Sequence, residues 1–270
     1  MQQAFGLAYT HPMPHTVPPS SPSWPPPLVS TEGDTRRLEF MAGNVQSEMR
    51  LSRPDALVLD YVRAMACFAL FVPRPRHILM VGLGGGSLAK FCYRHFPAAR
   101  ITVLELRADV IALREQFHVP ADDERFRVVH ADAARWLEHA RGGFDVLVVD
   151  GFDEEGLPPA LGSSRFYAHC RRALCDGGVL VANVFSYDPH YPAMLGRLRL
   201  MFGGRVSWFR QVAGNNRILF AVKAPLDADP RRPRGRAQWV QRLLGRRRGF
   251  GFGLVNRLLV RILVAWLSRR

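Results

Sequence analysis

Cysteine is scarce in this sequence of 270 residues, and long apolar runs are scarce as well. The four cysteines, at positions 67, 92, 170 and 175, show neither a Cys-x-x-Cys motif nor the spacing of zinc ligands. This excludes a disulfide-stapled scaffold, predicts a chain without bound metal, and points to a reducing cytoplasm. An apolar fraction of 48% with 22% charged residues is typical of a globular protein and excludes wholesale disorder.

Acidic residues are missing from the C-terminal tail. From Arg231 to the end there are twelve arginines, no lysine and no acidic residue. Without this tail the net charge of +14 falls to +2. The positive charge is therefore a property of the tail, and the body of the protein is nearly neutral.

Composition divides the chain into four segments. Residues 1–36 contain eight prolines and no apolar periodicity, which predicts a disordered or polyproline-like segment that is not a secretory signal. Residues 37–76 are predicted to form a short β/α extension, in which Pro54 opens a helix. Residues 77–225 form the main domain, and residues 226–270 form a basic linker and an amphipathic helix.

The main domain alternates apolar strands with amphipathic helices. Strands are predicted over residues 77–81, 101–105, 127–130, 144–150 and 179–184, and helices over 87–95, 109–117, 133–139, 164–174 and 191–202. Two further strands, 206–211 and 217–222, look like a final antiparallel pair. This alternation predicts an α/β fold with a doubly wound, mainly parallel, Rossmann-like sheet.

A glycine-rich turn follows the first strand of this domain. Its spacing, Gly82-x-Gly84-x-Gly86, is the one used by proteins that bind a nucleoside sulfonium such as S-adenosylmethionine. A nicotinamide fingerprint would need glycine where Ser87 stands. Glu105 ends the second strand, where an acid can accept hydrogen bonds from both ribose hydroxyls. A glycine-rich turn without a ligand remains the alternative.

Further carboxylates end the next two strands. Asp132 ends the third strand and would reach the adenine amino group. Asp150 ends the fourth strand, and Asp153 follows three residues later. Because strand carboxyl ends face the ligand crevice in doubly wound folds, Asp150 should lie beside the sulfonium. It could accept a proton from an attacking amine or hold a cationic amine, and the alternative is a carboxylate that only caps a turn.

The order of these motifs resembles that of the spermidine synthase-like proteins, the polyamine aminopropyltransferases. The resemblance runs from about residue 44 to residue 223. It is carried by Gly82-Leu-Gly-Gly-Gly-Ser, Val103-Leu-Glu105, His130-Ala-Asp132, Val149-Asp150-Gly-Phe-Asp153 and Leu157-Pro158-Pro159-Ala-Leu161. It implies a Rossmann-like fold of the type found in class I methyltransferases.

The resemblance also implies a role for each candidate residue. Asp150 would deprotonate or orient the amine, and Asp153 would bind the cationic end of a diamine. The donor ligand would be held by residues from the amino-terminal segment and from the strand ends: Gln46, Gly82, Gly84, Gly86, Glu105 and Asp132.

The implied reaction moves an aminopropyl group from decarboxylated S-adenosylmethionine to an amine such as putrescine. The sulfonium compound would be a co-substrate, and no cofactor would be permanently bound. Gly151 and Phe152 stand where the authentic enzymes carry small hydroxyl residues, so the sulfonium site looks intact and the amine site altered. An S-adenosylmethionine-dependent methyltransferase and a non-catalytic ligand-binding relative remain alternatives.

The end of the tail has the pattern of an amphipathic helix. Leu254, Leu258, Ile262 and Trp266 recur every four residues, and arginines interrupt the apolar run too often for a membrane span. The helix could dock on the body or on a homodimer partner, or lie on anionic lipid. Nucleic acid is not favoured, because clustered arginine supplies affinity without recognition. The expected location is cytoplasmic, or peripheral at the inner membrane surface.

Overall fold

A small antiparallel sheet precedes the main domain in the described part of the chain, which comprises residues 24–151, 157–208, 215–224 and 253–268 of a computed structural model. Its strands β1 (Leu28–Glu32), β2 (Thr35–Met41) and β3 (Asn44–Arg50) pair in sequence order. The prediction that residues 28–36 are disordered is therefore wrong. Strand β1 is stabilised by its antiparallel pairing with β2. Because β1 is largely exposed, its sequence does not alternate apolar and polar residues, and the sequence pattern did not predict a strand. Residues 1–23 lie outside the described residues.

The helix that follows begins later than predicted. Helix α1 (Asp60–Ala66) is continued by a 3-10 turn over Cys67–Leu70. Pro54 does not open it, because the chain first turns with the Ala56 amide donating to the Arg53 carbonyl, and Leu59 is extended. The delay leaves β3 and the start of α1 side by side at one edge of the main domain.

Seven strands and five helices make up the main domain among the described residues. The strands are β4 (His77–Val81), β5 (Arg100–Glu105), β6 (Phe126–His130), β7 (Phe144–Val149), β8 (Leu174–Phe185), β9 (Val206–Trp208) and β10 (Asn216–Val222). The helices are α2 (Ser87–His95), α3 (Ala108–Ala112), α4 (Ala133–His139), α5 (Ser164–Ala173) and α6 (Tyr191–Met201). Helix α3 ends before the predicted residue 117, because turns follow and His118 adopts a φ of 53°.

The sheet order is β6-β5-β4-β7-β8-β10-β9. Strands β4 to β8 pair in parallel, and β10 pairs antiparallel with both β8 and β9. The prediction of a doubly wound, mainly parallel α/β fold is therefore confirmed, as is the final antiparallel pair. The strand order reverses between β4 and β7, which is the place where such sheets open a ligand crevice.

Alternate residues of each central strand face opposite sides of the sheet. Met80 and Val148 pack with α1, α2 and the amino-terminal sheet, whereas Leu79 and Val149 pack with α4, α5 and α6. Both faces are thus covered, which explains why the central strands read as continuous apolar runs.

Helix α7 (Gly253–Leu267) lies against α1 and the 3-10 turn. Leu267 is 2% exposed, Leu263 and Val264 pack partly buried on the same core, and Arg261 approaches Asp60 at 4.0 Å. These contacts agree with a helix docked on the body. In the described part of the chain, no helix has the length and apolarity needed to cross a membrane.

Gly82 tests how tightly the sheet and the glycine turn are packed. It has a φ of +93°, and a Cβ atom there would lie 2.4 Å from the Asp150 carbonyl oxygen. Gly82→Ala should lower the free energy of unfolding by about 2–4 kcal/mol, since the clash adds to the backbone strain. Urea denaturation measures the change.

Gly177→Ala is the matched control for this prediction. Gly177 has a φ of +81° with no atom within 4 Å of the added Cβ, so only backbone strain of about 1 kcal/mol applies. Equal losses of the free energy of unfolding in the two variants would contradict the close contact between Gly82 and the Asp150 carbonyl oxygen.

Candidate functional site

A cavity of about 630 Å³ opens at the carboxyl edge of the sheet, where β4, β5, β6, β7 and β8 end. Six of the predicted site residues line it: Gln46, Gly82, Gly84, Glu105, Asp132 and Asp150. Gly86 does not line the cavity, and Asp153 lies outside the described residues. The parallel strands thus bring together side chains that are far apart in the sequence.

The glycine turn connects β4 to α2 along one wall of the cavity. Gly82, Gly84 and Gly86 all have positive φ, a conformation that favours glycine. The contact of Gly86 with the ligand's tail stays a prediction. A Cβ at Gly86 would lie 2.5 Å from Val119 Cγ2, so this glycine is required for packing at the start of α2.

Glu105 ties the glycine turn to the end of β5. Its Oε2 accepts a hydrogen bond from the Leu83 amide at 2.7 Å, and its Oε1 accepts one from the Arg107 amide at 2.8 Å. Burial raises the pKa of Glu105, and hydrogen bonds from backbone amides, including these two, oppose that shift. A carboxylate has about four lone-pair positions, so with the amides of Leu83, Leu106 and Arg107 bound it can still accept a hydrogen bond from a ligand hydroxyl.

Asp132 combines a structural contact with a place in the cavity wall. As the N-cap of α4, its Oδ1 accepts from the amides of Ala134 at 2.8 Å and Arg135 at 3.4 Å. Its Oδ2 lies 3.8 Å from Arg135 Nε. The capping contacts use Oδ1 and leave the Oδ2 lone pairs for a ligand amino group, so the adenine contact stays a prediction.

Asp150 is held by partners on two other elements. Its amide donates to the Val81 carbonyl at 2.9 Å, and its Oδ1 accepts from Asn183 Nδ2 at 2.9 Å. The Tyr61 hydroxyl on α1 lies near enough to the carboxylate to lower its pKa, while it donates its hydrogen bond to the Gln46 carbonyl at 3.2 Å. Burial raises the pKa of Asp150 to about 6, and the hydrogen bond from Asn183 and the nearby Tyr61 hydroxyl oppose that rise.

Gln46 reaches the cavity from β3. Its carbonyl oxygen lies 3.2 Å from the Tyr61 hydroxyl, which places Tyr61 between Gln46 and Asp150. Burial and the charge of Asp150 raise the pKa of Tyr61, so its hydroxyl stays protonated and can donate. The amino-terminal sheet and α1 thereby close the side of the cavity next to Asp150.

The sequence patterns did not identify Tyr61 and Asn183 as site residues. Tyr61 has a spacing from Leu57 and Met65 that is typical of the apolar face of a helix. Asn183 lies in an apolar strand run, and a polar residue at such a buried position was the signal that could have identified it.

An aromatic and arginine cluster also lines the cavity, and the sequence patterns did not identify it either. The Arg107 guanidinium lies 4.6 Å from the Phe40 ring centroid and 5.4 Å from that of Trp24, and it donates to the Pro25 carbonyl at 2.7 Å. Trp24, Phe40 and Arg107 all line the cavity. Residues 24 and 25 belong to the segment that its proline content had placed outside the fold.

Comparisons with known proteins identify the family to which the chain is similar. A family model described as the spermine/spermidine synthase domain matches residues 59–191. The polyamine aminopropyltransferase of Chromobacterium violaceum is 39% identical over 197 residues, covering 73% of this chain and 76% of the relative. That of Neisseria meningitidis serogroup A is 39% identical over 190 residues, covering 70% and 72%.

Solved structures share the fold. A probable spermidine synthase from Corynebacterium glutamicum superposes with a TM-score of 0.65 at 23% identity, covering 73% of this chain and 76% of that one. Human methyltransferase-like protein 13, in complex with SAH, superposes with a TM-score of 0.57 at 24% identity, covering 72% and 96%. The fold alone is therefore common to both kinds of transferase.

The fold and the site define a transferase of the Rossmann-like class. Identity of 39% over most of both chains shows more: the chain belongs to the polyamine aminopropyltransferase family, whose domain is that of the spermine and spermidine synthases.

Glu105 provides a test of the nucleoside end of the cavity. Glu105→Ala should raise the dissociation constant of 5′-methylthioadenosine about tenfold or more, because charge-assisted hydrogen bonds to the ribose would be lost. Calorimetric titration measures the affinity. Glu105→Gln, which keeps one acceptor oxygen, should lose less.

Glu124→Ala removes an exposed carboxylate away from the cavity and serves as the control, which should bind as the unsubstituted protein does. Unchanged affinity in Glu105→Ala would remove Glu105 from the ribose site.

Proposed function

We propose that this chain transfers the aminopropyl group of decarboxylated S-adenosylmethionine to an amine acceptor such as putrescine. The observation that carries the proposal is Asp150, which lines the cavity beside the glycine turn and whose carboxylate accepts a hydrogen bond from Asn183. Family membership supports the same reaction, because the relatives are named for aminopropyl transfer.

The nucleoside part of the donor would lie along the strand ends. Gly82 and Gly84 would let its chain approach the backbone, Glu105 would bind the ribose, and Asp132 the adenine amino group. Gln46 would contact the donor from β3. The sulfonium would then lie near Asp150, because the glycine turn and Asp150 are in contact through Gly82.

The proposed reaction is an in-line displacement. The amine lone pair forms a bond to the carbon next to the sulfonium, the carbon–sulfur bond breaks, and its electron pair stays on sulfur to give a neutral thioether. The product is a secondary ammonium, which becomes the neutral secondary amine when it gives one proton to Asp150 or to water. Since the leaving group is neutral, the protein chiefly needs to align an uncharged amine, and Asp150 would accept its proton or orient it.

The amine end of the cavity is bounded by polar and aromatic side chains. Asn183, Phe185, Tyr187 and Asn216 line it near Asp150, and Gly151 follows Asp150 directly. Asp153 is proposed to bind the far ammonium of a diamine. A homodimer, an anionic lipid surface for α7 and a cytoplasmic location stay predictions.

The ionisation of Asp150 gives the proposal a pH dependence. With the pKa of Asp150 at about 6, the carboxylate is ionised at pH 7 and becomes protonated as the pH falls. The value of kcat/KM for aminopropyl transfer should therefore fall about tenfold per pH unit below about pH 6. Mass spectrometry of the polyamine product, formed from putrescine and decarboxylated S-adenosylmethionine, measures it.

Asp150→Asn should lower kcat/KM at pH 7 by about 100-fold to 10,000-fold while leaving the affinity for 5′-methylthioadenosine intact. Asp176→Asn, an exposed substitution within β8, is the control and should keep full activity. Full activity in Asp150→Asn would refute its role, and methylated products from intact S-adenosylmethionine would identify a methyltransferase instead.

A further inference from the structure

Two side-chain amides form a chain that leads from β10 to the carboxylate of Asp150. Asn183 Nδ2 donates to Asp150 Oδ1 at 2.9 Å, and Asn216 Nδ2 donates to Asn183 Oδ1 at 3.0 Å. Asn183 and Asn216 both line the cavity. No step of the proposed reaction uses Asn216, so its contact with Asn183 needs its own explanation.

The pairing of β8 with β10 places the two amides together. Asn183 lies directly opposite Ile218 in this antiparallel ladder, and Asn216 lies two residues from Ile218 on the same face. Such diagonal neighbours are close enough for side chains to touch. Asn183 is only 2% exposed, so both ends of its amide depend on partners within the protein.

Two contacts set the polarity of this chain, the carboxylate of Asp150 at one end and the amide of Asn216 at the other. An ionised Asp150 can only accept hydrogen bonds, so Asn183 must present its NH₂ group to Asp150. The Asn183 oxygen then points away from Asp150 and requires a donor, which Asn216 provides. Without that donor, the buried oxygen would be unsatisfied, and a flipped amide that places oxygen against the carboxylate would compete with the observed one.

We propose that Asn216 is a positioning residue that fixes the orientation of the Asn183 amide, and thereby keeps the carboxylate of Asp150 ionised for the reaction. The proposal rests on the proposed function for its catalytic meaning. It adds a residue on β10 that acts on the reacting carboxylate only through another side chain.

One titratable group lies near Asp150, and three charged groups line the same cavity. Tyr61 on α1 lies near Asp150, while Glu105 at the end of β5, Arg107 after β5 and Asp132 after β6 line the same cavity. Burial raises the pKa of Asp150, and the hydrogen bond from Asn183 and the nearby Tyr61 hydroxyl lower it. Loss of the Asn183 donor should therefore raise this pKa further, whereas the other groups are the same in wild type and variant.

The test is a carbon-13 NMR titration of the Asp150 carboxyl group, assigned by comparison with Asp150→Asn. Asn216→Leu removes the amide at similar size, and Asn216→Ala does so with less bulk in case the first variant folds poorly. Both should raise the pKa of Asp150, by at most the roughly one unit that complete loss of the Asn183 hydrogen bond would produce. Asn215→Ala, which changes the neighbouring asparagine, should leave this pKa unchanged.

A double-mutant cycle shows whether Asn216 acts through Asn183. In the Asn183→Leu background, Asn216→Leu should produce no further shift of the Asp150 pKa. The acid limb of kcat/KM should move to higher pH together with that pKa, and the Asn216 variants should approach wild-type activity near pH 8. A merely structural role would instead lower activity at every pH.

An unchanged Asp150 pKa in both Asn216 variants would overturn the proposal, and so would equal shifts with and without Asn183. The NMR measurement does not require turnover. If the pKa moves as expected but the wild-type protein transfers no aminopropyl group, then the proposed function fails while the positioning role stands.

Discussion

The contact between Gly82 and the backbone of Asp150 is the constraint on which the site depends. A Cβ at Gly82 would lie 2.4 Å from the Asp150 carbonyl oxygen, so the two strand ends approach as closely as their backbones allow. This brings the turn that would hold a sulfonium next to the carboxylate that would meet an amine. Glu105 then fastens the other side of the same turn through the Leu83 amide. The proposed donor and acceptor sites are thus parts of one packed sheet edge.

Burial and hydrogen bonding shift the pKa of Asp150 in opposite directions. Burial raises its pKa to about 6, and without its partners the carboxylate would be harder to ionise. Asn183 and Tyr61 come from opposite directions, one from β8 and one from α1, and each is in turn placed by a further contact. Asn216 holds Asn183, and the Tyr61 hydroxyl lies 3.2 Å from the Gln46 carbonyl oxygen. The amino-terminal sheet and the antiparallel strand β10 therefore both act on the same carboxylate.

The sequence patterns predicted the doubly wound sheet well, because each central strand is apolar on both faces and each acid at a strand end interrupts that run. Helices α2 and α4 have the predicted bounds, and Glu105, Asp132 and Asp150 line one cavity. The missed features depend on contacts between distant segments. Strand β1 is exposed and lacks alternation, and Asn183 acquires its partner only when β10 pairs with β8. Trp24 lies in a proline-rich stretch whose composition hides its contact with Arg107.

The choice of donor is the measurement that tests aminopropyl transfer most directly. Calorimetric titration of the full chain with decarboxylated and with intact S-adenosylmethionine compares two ligands that differ by one carboxylate. Because the charge of Asp150 would repel that carboxylate, we expect the decarboxylated compound to bind at least about tenfold more tightly than the intact one. Tighter binding of the intact compound would contradict aminopropyl transfer and would instead support methyl transfer.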